Sequence, residues 1–294
     1  MAAFANHVHG FLLESRPAVQ VVFMLRFFAA AALSGGPADG RLWWAAAAWS
    51  LATMAVYVVN GVMDVTEDRA NGSSRPIARG ALPAPVATTL VAAASVLSLA
   101  LAAAVDARVL LPLVALHLAC GYAYSGPPFH GKRRGSTTAL LVLGLGVLTY
   151  AAGWSAGGRH AGLPVLLLGV AMSLWMAGVG ALAKDLSDVA GDALGGRRTP
   201  VIVWGEVRTR ALTAVNAVLI GAGFLTASLL RATSLVPVAA VLLLGGAAVA
   251  VLVATTRHGA TRAVRRLPYR AFMFTQYAVQ LLVLARFLLG LVHG

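Results

Sequence analysis

Residues 162–192 read GLPVLLLGVAMSLWMAGVGALAKDLSDVAGD. Positions 162–183 carry no charge, and an α-helix needs about 20 mainly apolar residues to cross the hydrocarbon core of a bilayer. The run then ends in Lys184, Asp185, Asp188 and Asp192, so one segment joins a membrane span to an acidic exit. Working outward, segments of the same character lie at about 17–36, 42–63, 84–104, 109–125, 137–156, 211–230, 234–255 and 271–291, each bounded by charged or Gly/Pro-rich breaks. None shows the sustained period-two alternation of an outer-membrane strand. The expected fold is therefore an all-α integral membrane bundle of nine transmembrane helices, one membrane domain over residues 1–294, capped on one side by loops and short helices. The composition agrees, with 59% hydrophobic residues, 11% charged residues and a mean hydropathy of +0.81.

Residues 1–14 lack a basic segment leading into an uninterrupted apolar core and a cleavage site, so no removable signal peptide is expected. Cys120 is the only cysteine and falls inside the fourth span, which excludes an intrachain disulfide and a Cys-rich metal cluster. The net charge of +13 is dispersed over short loops, which speaks for membrane topology and against nucleic acid. With the N-terminus inside, seventeen Lys and Arg fall on the cytoplasmic side, including five Arg between 257 and 270. The other side receives only Arg41, Arg108, Arg159 and Arg231. The positive-inside rule then places the long loops in the cytoplasm, and Trp43, Trp44 and Trp154 at outer helix ends. The expected location is the cytoplasmic membrane.

Six of the ten acidic residues gather in two stretches, Asp64, Glu67 and Asp68, then Asp185, Asp188 and Asp192. Both end even-numbered spans on the cytoplasmic side. In continuous helices Asn60, Asp64 and Asp68 share one face, as do Asp185, Asp188 and Asp192. Carboxylates at a helix C-terminus oppose the macrodipole and repel one another unless cations are present. Hard oxygen donors without His or Cys suit Mg²⁺, which typically takes one or two carboxylates plus waters and substrate phosphates. The stretches also resemble each other: Asp64 and Asp68 align with Asp188 and Asp192, Gly72 with Gly196, and Pro76 with Pro200. A pseudo-repeat of residues 60–77 and 185–201 is expected.

Cations follow each acidic stretch, Arg75 and Arg79 in the first and Arg197 and Arg198 in the second, while a third loop supplies Tyr124, Lys132, Arg133 and Arg134. Arg and Lys are suited to clamp diphosphate oxygens as charge develops on a leaving group. No Walker-type Gly-Lys-Ser/Thr follows a glycine-rich turn, so nucleotide hydrolysis has no support. Arg26 lies near the middle of the first span, where a cation is costly without a partner; it is a candidate to hold an acidic acceptor or a lipid headgroup, or to make a pairing that stabilises the bundle.

These motifs resemble the UbiA superfamily of intramembrane prenyltransferases. The family pattern Asn-Asp-x-x-Asp-x-x-x-Asp followed by Arg-Pro is similar to Asn60-Gly61-Val62-Met63-Asp64 through Asp68, then Arg75-Pro76. The second pattern, Asp-x-x-x-Asp, is similar to Asp188 to Asp192 within KDLSDVAGD, and Tyr124-Ser-Gly-Pro-Pro-Phe-His-Gly-Lys132 resembles the loop element between them. One departure is that Gly61 stands where Asp is usual.

The resemblance implies an enzyme in which Asn60, Asp64, Asp68, Asp188 and Asp192 bind Mg²⁺. An allylic prenyl diphosphate is ionised and an electron-rich, phenolic-type acceptor is alkylated within the bilayer. Asp185 assists the metal shell or deprotonation. With the residue readings above, the candidate substrate contacts are Asn60, Arg75, Arg79, Tyr124, Lys132, Arg133, Arg197, Arg198 and Arg26. Two rivals use the same features: a UbiA-type terpene cyclase, which needs no acceptor, and a membrane transporter, against which stands the clustering of carboxylates at one surface.

Overall fold

The computed structural model describes residues 2–160, 162–256 and 259–290. Arg257, counted above with the inner cations, and residue 291 of the last span lie outside them. The chain is a helical bundle of α1 (Ala2–Glu14), α2 (Pro17–Leu33), α3 (Gly40–Met63), α4 (Val65–Ala70), α5 (Ala84–Asp106), α6 (Leu110–Ser125), α7 (Gly135–Ala156), α8 (Gly162–Trp175), α9 (Ala181–Leu194), α10 (Pro200–Trp204), α11 (Glu206–Arg231), α12 (Val236–Thr255), α13 (Arg262–Arg265) and α14 (Leu267–Leu288). Proline opens the first turn of α2, α5, α10, α12 and α14, where its missing N–H costs no hydrogen bond. The Asp39 side chain caps α3 by accepting from Leu42 N at 3.1 Å.

Seven helical segments are long and apolar enough to cross a membrane, and eight are if the pair Phe4–Glu14 and Pro17–Leu33, bent by 66°, forms one span. All nine sequence segments fold as helices, but α6 has only 16 residues, short of a full crossing. The segment expected at 162–183 extends much further. α8 and α9 are joined through a π-helical turn at Met176–Gly180 into one 33-residue span, Gly162–Leu194.

A second difference lies at the first acidic stretch. α3 does not run straight through it: the backbone breaks at Asp64 (φ −106°, ψ 17°) before the six-residue α4. Asp64 N still donates to Asn60 O at 3.0 Å and Asp68 N to Asp64 O at 2.7 Å, so hydrogen bonds run on both sides of the break. Val65 and Thr66, β-branched and poor in helix propensity, follow the bend. α1, outside every predicted span, docks Phe11 among Ile77, Leu82 and Ala87.

Two larger cores hold the spans. One centres on Trp175, Met172, Phe224 and Phe272, the other on Phe27, Trp49 and Leu110. Membrane helices approach through small residues because lipid gives no hydrophobic drive to associate them. Thus Gly153 lets α7 lie against the Phe27 carbonyl of α2, and Gly246 lets α12 lie against the Ala217 carbonyl of α11.

Candidate active site

The helices enclose one large cavity of about 870 Å³. Its mouth is ionic, lined by Asp64, Asp68, Asp185, Asp188 and Asp192 with Arg16, Arg75, Lys184, Arg197, Arg262 and Arg266. Its walls are apolar and aromatic, with Val22, Phe23, Val56, Tyr57, Val142, Leu145, Met176, Tyr269 and Phe272.

The two acidic stretches meet because α4 crosses α9 closely. A methyl group at Gly191 would overlap the Asn71 amide, and one at Gly195 would stand 2.5 Å from Glu67 Cγ. The two ends also close alike. Ser73 N donates to Asp68 O at 2.8 Å and Arg197 N to Asp192 O at 2.9 Å, while Gly72 (φ 61°) and Gly196 (φ 65°) take the left-handed turn that follows. Such turns satisfy the last helix carbonyls and favour glycine.

Every metal-candidate carboxylate faces a cation. Lys132 Nζ contacts Asp64 Oδ1, and Arg75 Nη1 donates to Asp68 Oδ2 at 2.9 Å with Arg16 3.9 Å from the other oxygen. Asp188 Oδ1 accepts from Arg262 Nη2 at 2.9 Å and lies 3.7 Å from Arg266; its Oδ2 is 3.3 Å from Lys184 Nζ. Arg197 Nη1 donates to Asp192 Oδ1 at 2.7 Å. Asn60 Nδ2 donates to Asp64 Oδ2 and to Ser125 Oγ, both at 3.0 Å. Burial lowers the Lys132 ammonium from its ordinary value, opposed by Asp64. Burial and then the Arg16 charge lower Arg75, against Glu14 and Asp68. At Arg197 burial also acts downward, but Tyr124 and the neighbouring carboxylates outweigh it and hold the proton more firmly.

Of the remaining sequence candidates, Tyr124 lines the cavity and Arg79 sits exposed at its rim. Arg133 and Arg198 are exposed and do not line it. Their backbones pair instead, Arg198 N donating to Arg133 O at 2.6 Å, which ties the loop after α6 to the loop after α9. Arg26 is fully buried at the cavity wall, its guanidinium contacting Gln276 Oε1 and Met176 Sδ and lying 5.3 Å from the Phe23 ring centre. Arg26 Nε has no hydrogen-bond partner among the described residues. Sequence reasoning passed over Arg16, Lys184, Arg262, Arg266 and Glu14 as site groups. The positive charges look like topology alone, and only the fold brings Arg262 onto Asp188 and onto Asn71 O at 2.6 Å.

The donor set fits a hard divalent cation. Carboxylates from two elements face one mouth, and Asp192 Oδ2 is buried with no hydrogen-bond partner among the described residues. No three His, Cys, Asp or Glu side chains among the described residues stand close enough together to hold a metal ion, and Asp64, Asp68, Asp188 and Asp192 are each paired with a cation.

Comparison with protein families matches residues 21–277 to the UbiA prenyltransferase family. A search of curated proteins finds no match. Among solved structures, the chain is similar to a UbiA homologue from Archaeoglobus fulgidus bound to DMAPP and Mg²⁺, with 18% identity and a TM-score of 0.70 over 92% of this chain and 98% of that one. The same homologue bound to GPP and Mg²⁺ gives 19%, 0.70, 92% and 99%. The UbiA homologue from Aeropyrum pernix K1 gives 24%, 0.66, 92% and 97%. The likeness in structure is one of fold.

Proposed function

The chain belongs to the UbiA prenyltransferase family, and on that premise we propose that it transfers an isoprenyl group from an allylic prenyl diphosphate to an acceptor within the membrane. The observation that carries this reading is the cavity itself, with two carboxylate-bearing helix ends opposed at an ionic mouth above apolar walls. Asn60, Asp64 and Asp68 on one side, and Asp188 and Asp192 on the other, would hold Mg²⁺, as the A. fulgidus homologue binds Mg²⁺ with DMAPP or GPP. Bound there, Mg²⁺ supplies charge neutralisation for the diphosphate as it leaves.

The chain's own groups do the rest. Arg75, Lys132, Arg197, Arg262 and Tyr124 would receive diphosphate oxygens, with Arg79 at the rim, the cations being freed to do so where their carboxylate partners hold the metal. Val22, Phe23, Val56 and Phe272 take the isoprenyl chain and exclude water that would trap an allylic cation. The C1–O bond of the donor breaks with its electron pair leaving on diphosphate, C1 joins an electron-rich carbon of the acceptor, and that carbon gives up a proton. Asp185, buried and on the cavity, is the proposed proton acceptor. Arg26 would receive an anionic or phenolic group of the acceptor. Arg26 is fully buried with its Nε unpartnered among the described residues, which suits an anionic or phenolic acceptor, whereas a cyclising hydrocarbon would offer it no partner.

The proposed setting is nine spans in the cytoplasmic membrane, α6 crossing as a short helix, with the cavity mouth toward the cytoplasm as the charge bias requires. The two acidic stretches are read as pseudo-equivalent halves, supported by their matching backbone closures at Asp68 and Asp192. Membranes carrying the protein, given Mg²⁺, a panel of prenyl diphosphates and phenolic acceptors, are expected to yield prenylated product by mass spectrometry. Asp64→Ala and Asp188→Ala are each expected to abolish it; near-normal turnover in either variant sinks the assignment.

A further inference from the structure

Position 61 carries glycine where the family pattern has aspartate, and the fold puts another residue's carboxylate in that space. A Cβ on Gly61 would overlap Glu14 Oε1 and Arg75 Nη2 and stand 2.9 Å from Arg75 Cζ. Glu14, the last residue of α1, is fully buried. Its Oε1 lies 2.5 Å from Arg75 Nε, an ion contact not aligned as a hydrogen bond. Its Oε2 accepts from Ile77 N at 2.9 Å, and its backbone carbonyl accepts from Arg75 Nη2 at 3.2 Å. Arg75 Nη2 also donates to Tyr57 O at 2.9 Å, and Nη1 reaches forward to Asp68. The guanidinium is thus gripped from behind by Glu14 and Tyr57, with only the Nη1 edge aimed at the site.

We infer that Glu14 is a positioning residue for Arg75, supplying from α1 the carboxylate that position 61 of α3 lacks. The inference rests on the proposed role of Arg75 at the diphosphate. Its physical need is plain: Arg75 is buried, and when Asp68 turns to a metal the arginine would lose its other counter-charge. Glu14 keeps that charge compensated and the guanidinium in place, so Nη1 is released toward the donor without the side chain swinging away. The longer arm of glutamate also reaches Ile77 N, which fixes the Arg75-Pro76-Ile77 turn against α1.

The test uses the purified full chain in detergent and measures the affinity of inorganic diphosphate at fixed Mg²⁺, together with the melting temperature without ligand. Glu14→Gln, which can still accept from Ile77 N, is expected to fold and to weaken diphosphate binding by about ten- to a hundredfold. Gly61→Asp alone is expected to weaken it as well, because two carboxylates contest one space. Glu14→Ala with Gly61→Asp, in which Arg75 can shift into the space left by the Glu14 side chain and clear the new Cβ, is expected to bind diphosphate better than either single variant, and its advantage over Glu14→Ala is one that a packing role for Glu14 does not produce. Wild-type affinity in Glu14→Gln overturns the inference; so does a double variant no better than Glu14→Ala, a comparison that stands even if Glu14→Gln does not fold. If Arg75→Ala leaves diphosphate affinity intact, the reading of the site itself falls, whereas loss in Arg75→Ala with no loss in Glu14→Gln removes only the role of Glu14.

Discussion

Asp192 and Arg197 are both buried and bonded at 2.7 Å, so removing the arginine strands a carboxylate in a poorly solvated place. Arg197→Ala is expected to cost about 3–5 kcal/mol of stability, while Arg198→Ala, one residue on and exposed, stays within about 0.5 kcal/mol; melting in detergent separates them. Arg26→Met is expected to raise the acceptor concentration needed for half-maximal product by on the order of a hundredfold with donor dependence unchanged, measured in the same product assay. The acidic residues were legible in the sequence because helical spacing announces them. Glu14 was not, because its partner Arg75 lies 61 residues away and a lone glutamate before a span carries no periodic signal. Arg262 and Arg266 were hidden differently: the positive-inside rule accounts for them fully, so nothing in their spacing points to Asp188.

The crossing of α4 and α9 depends on two glycines one turn apart. Gly191 faces Asn71 and Gly195 faces Glu67, so any side chain there pushes the two acidic ends apart. Gly191→Val is expected to cost about 1–3 kcal/mol through overpacking and to lower product formation more than melting temperature, since a shift of 1 Å at such a site can cost about a hundredfold. Nothing in the hydropathy of residues 162–192 signals the π-helical turn, yet it lies where Met176 meets Arg26 and Gly180 accepts the Phe272 ring against its backbone. π-turns inside long helices are frequent at functional sites. The bend at Asp64 was missed for a related reason. Spacing describes an ideal helix, whereas the real one breaks at Asp64, with Lys132 on Asp64 and Arg75 on Asp68.

Across the bundle, the ion pairs are sorted to two ends. Arg41 and Arg159 converge on Asp106 at one, joining α3, α5 and the loop after α7. At the other, the mouth of the cavity interleaves the acidic helix ends with the basic loops. The spans were readable from hydropathy because lipid imposes a length and a composition; the arrangement of the mouth was not, because it comes from four segments far apart in the sequence, of which only the two acidic stretches share a pattern. That interleaving makes the mouth a test for conjunction. A divalent ion arriving alone must evict lysine and arginine into a space with no anion to receive them, and a diphosphate arriving alone meets carboxylates that repel it. On the proposed reading the two together would exchange partners with the protein, each anion finding a cation. Thermal stabilisation by Mg²⁺ plus inorganic diphosphate is accordingly expected to exceed the sum of the two separate shifts. A simple sum would mean that the site recognises its ligands one at a time. On the proposed reading the mouth would act, in the language of signalling, as a coincidence detector, and the ambient Mg²⁺ of a cell would leave it silent until a donor arrives.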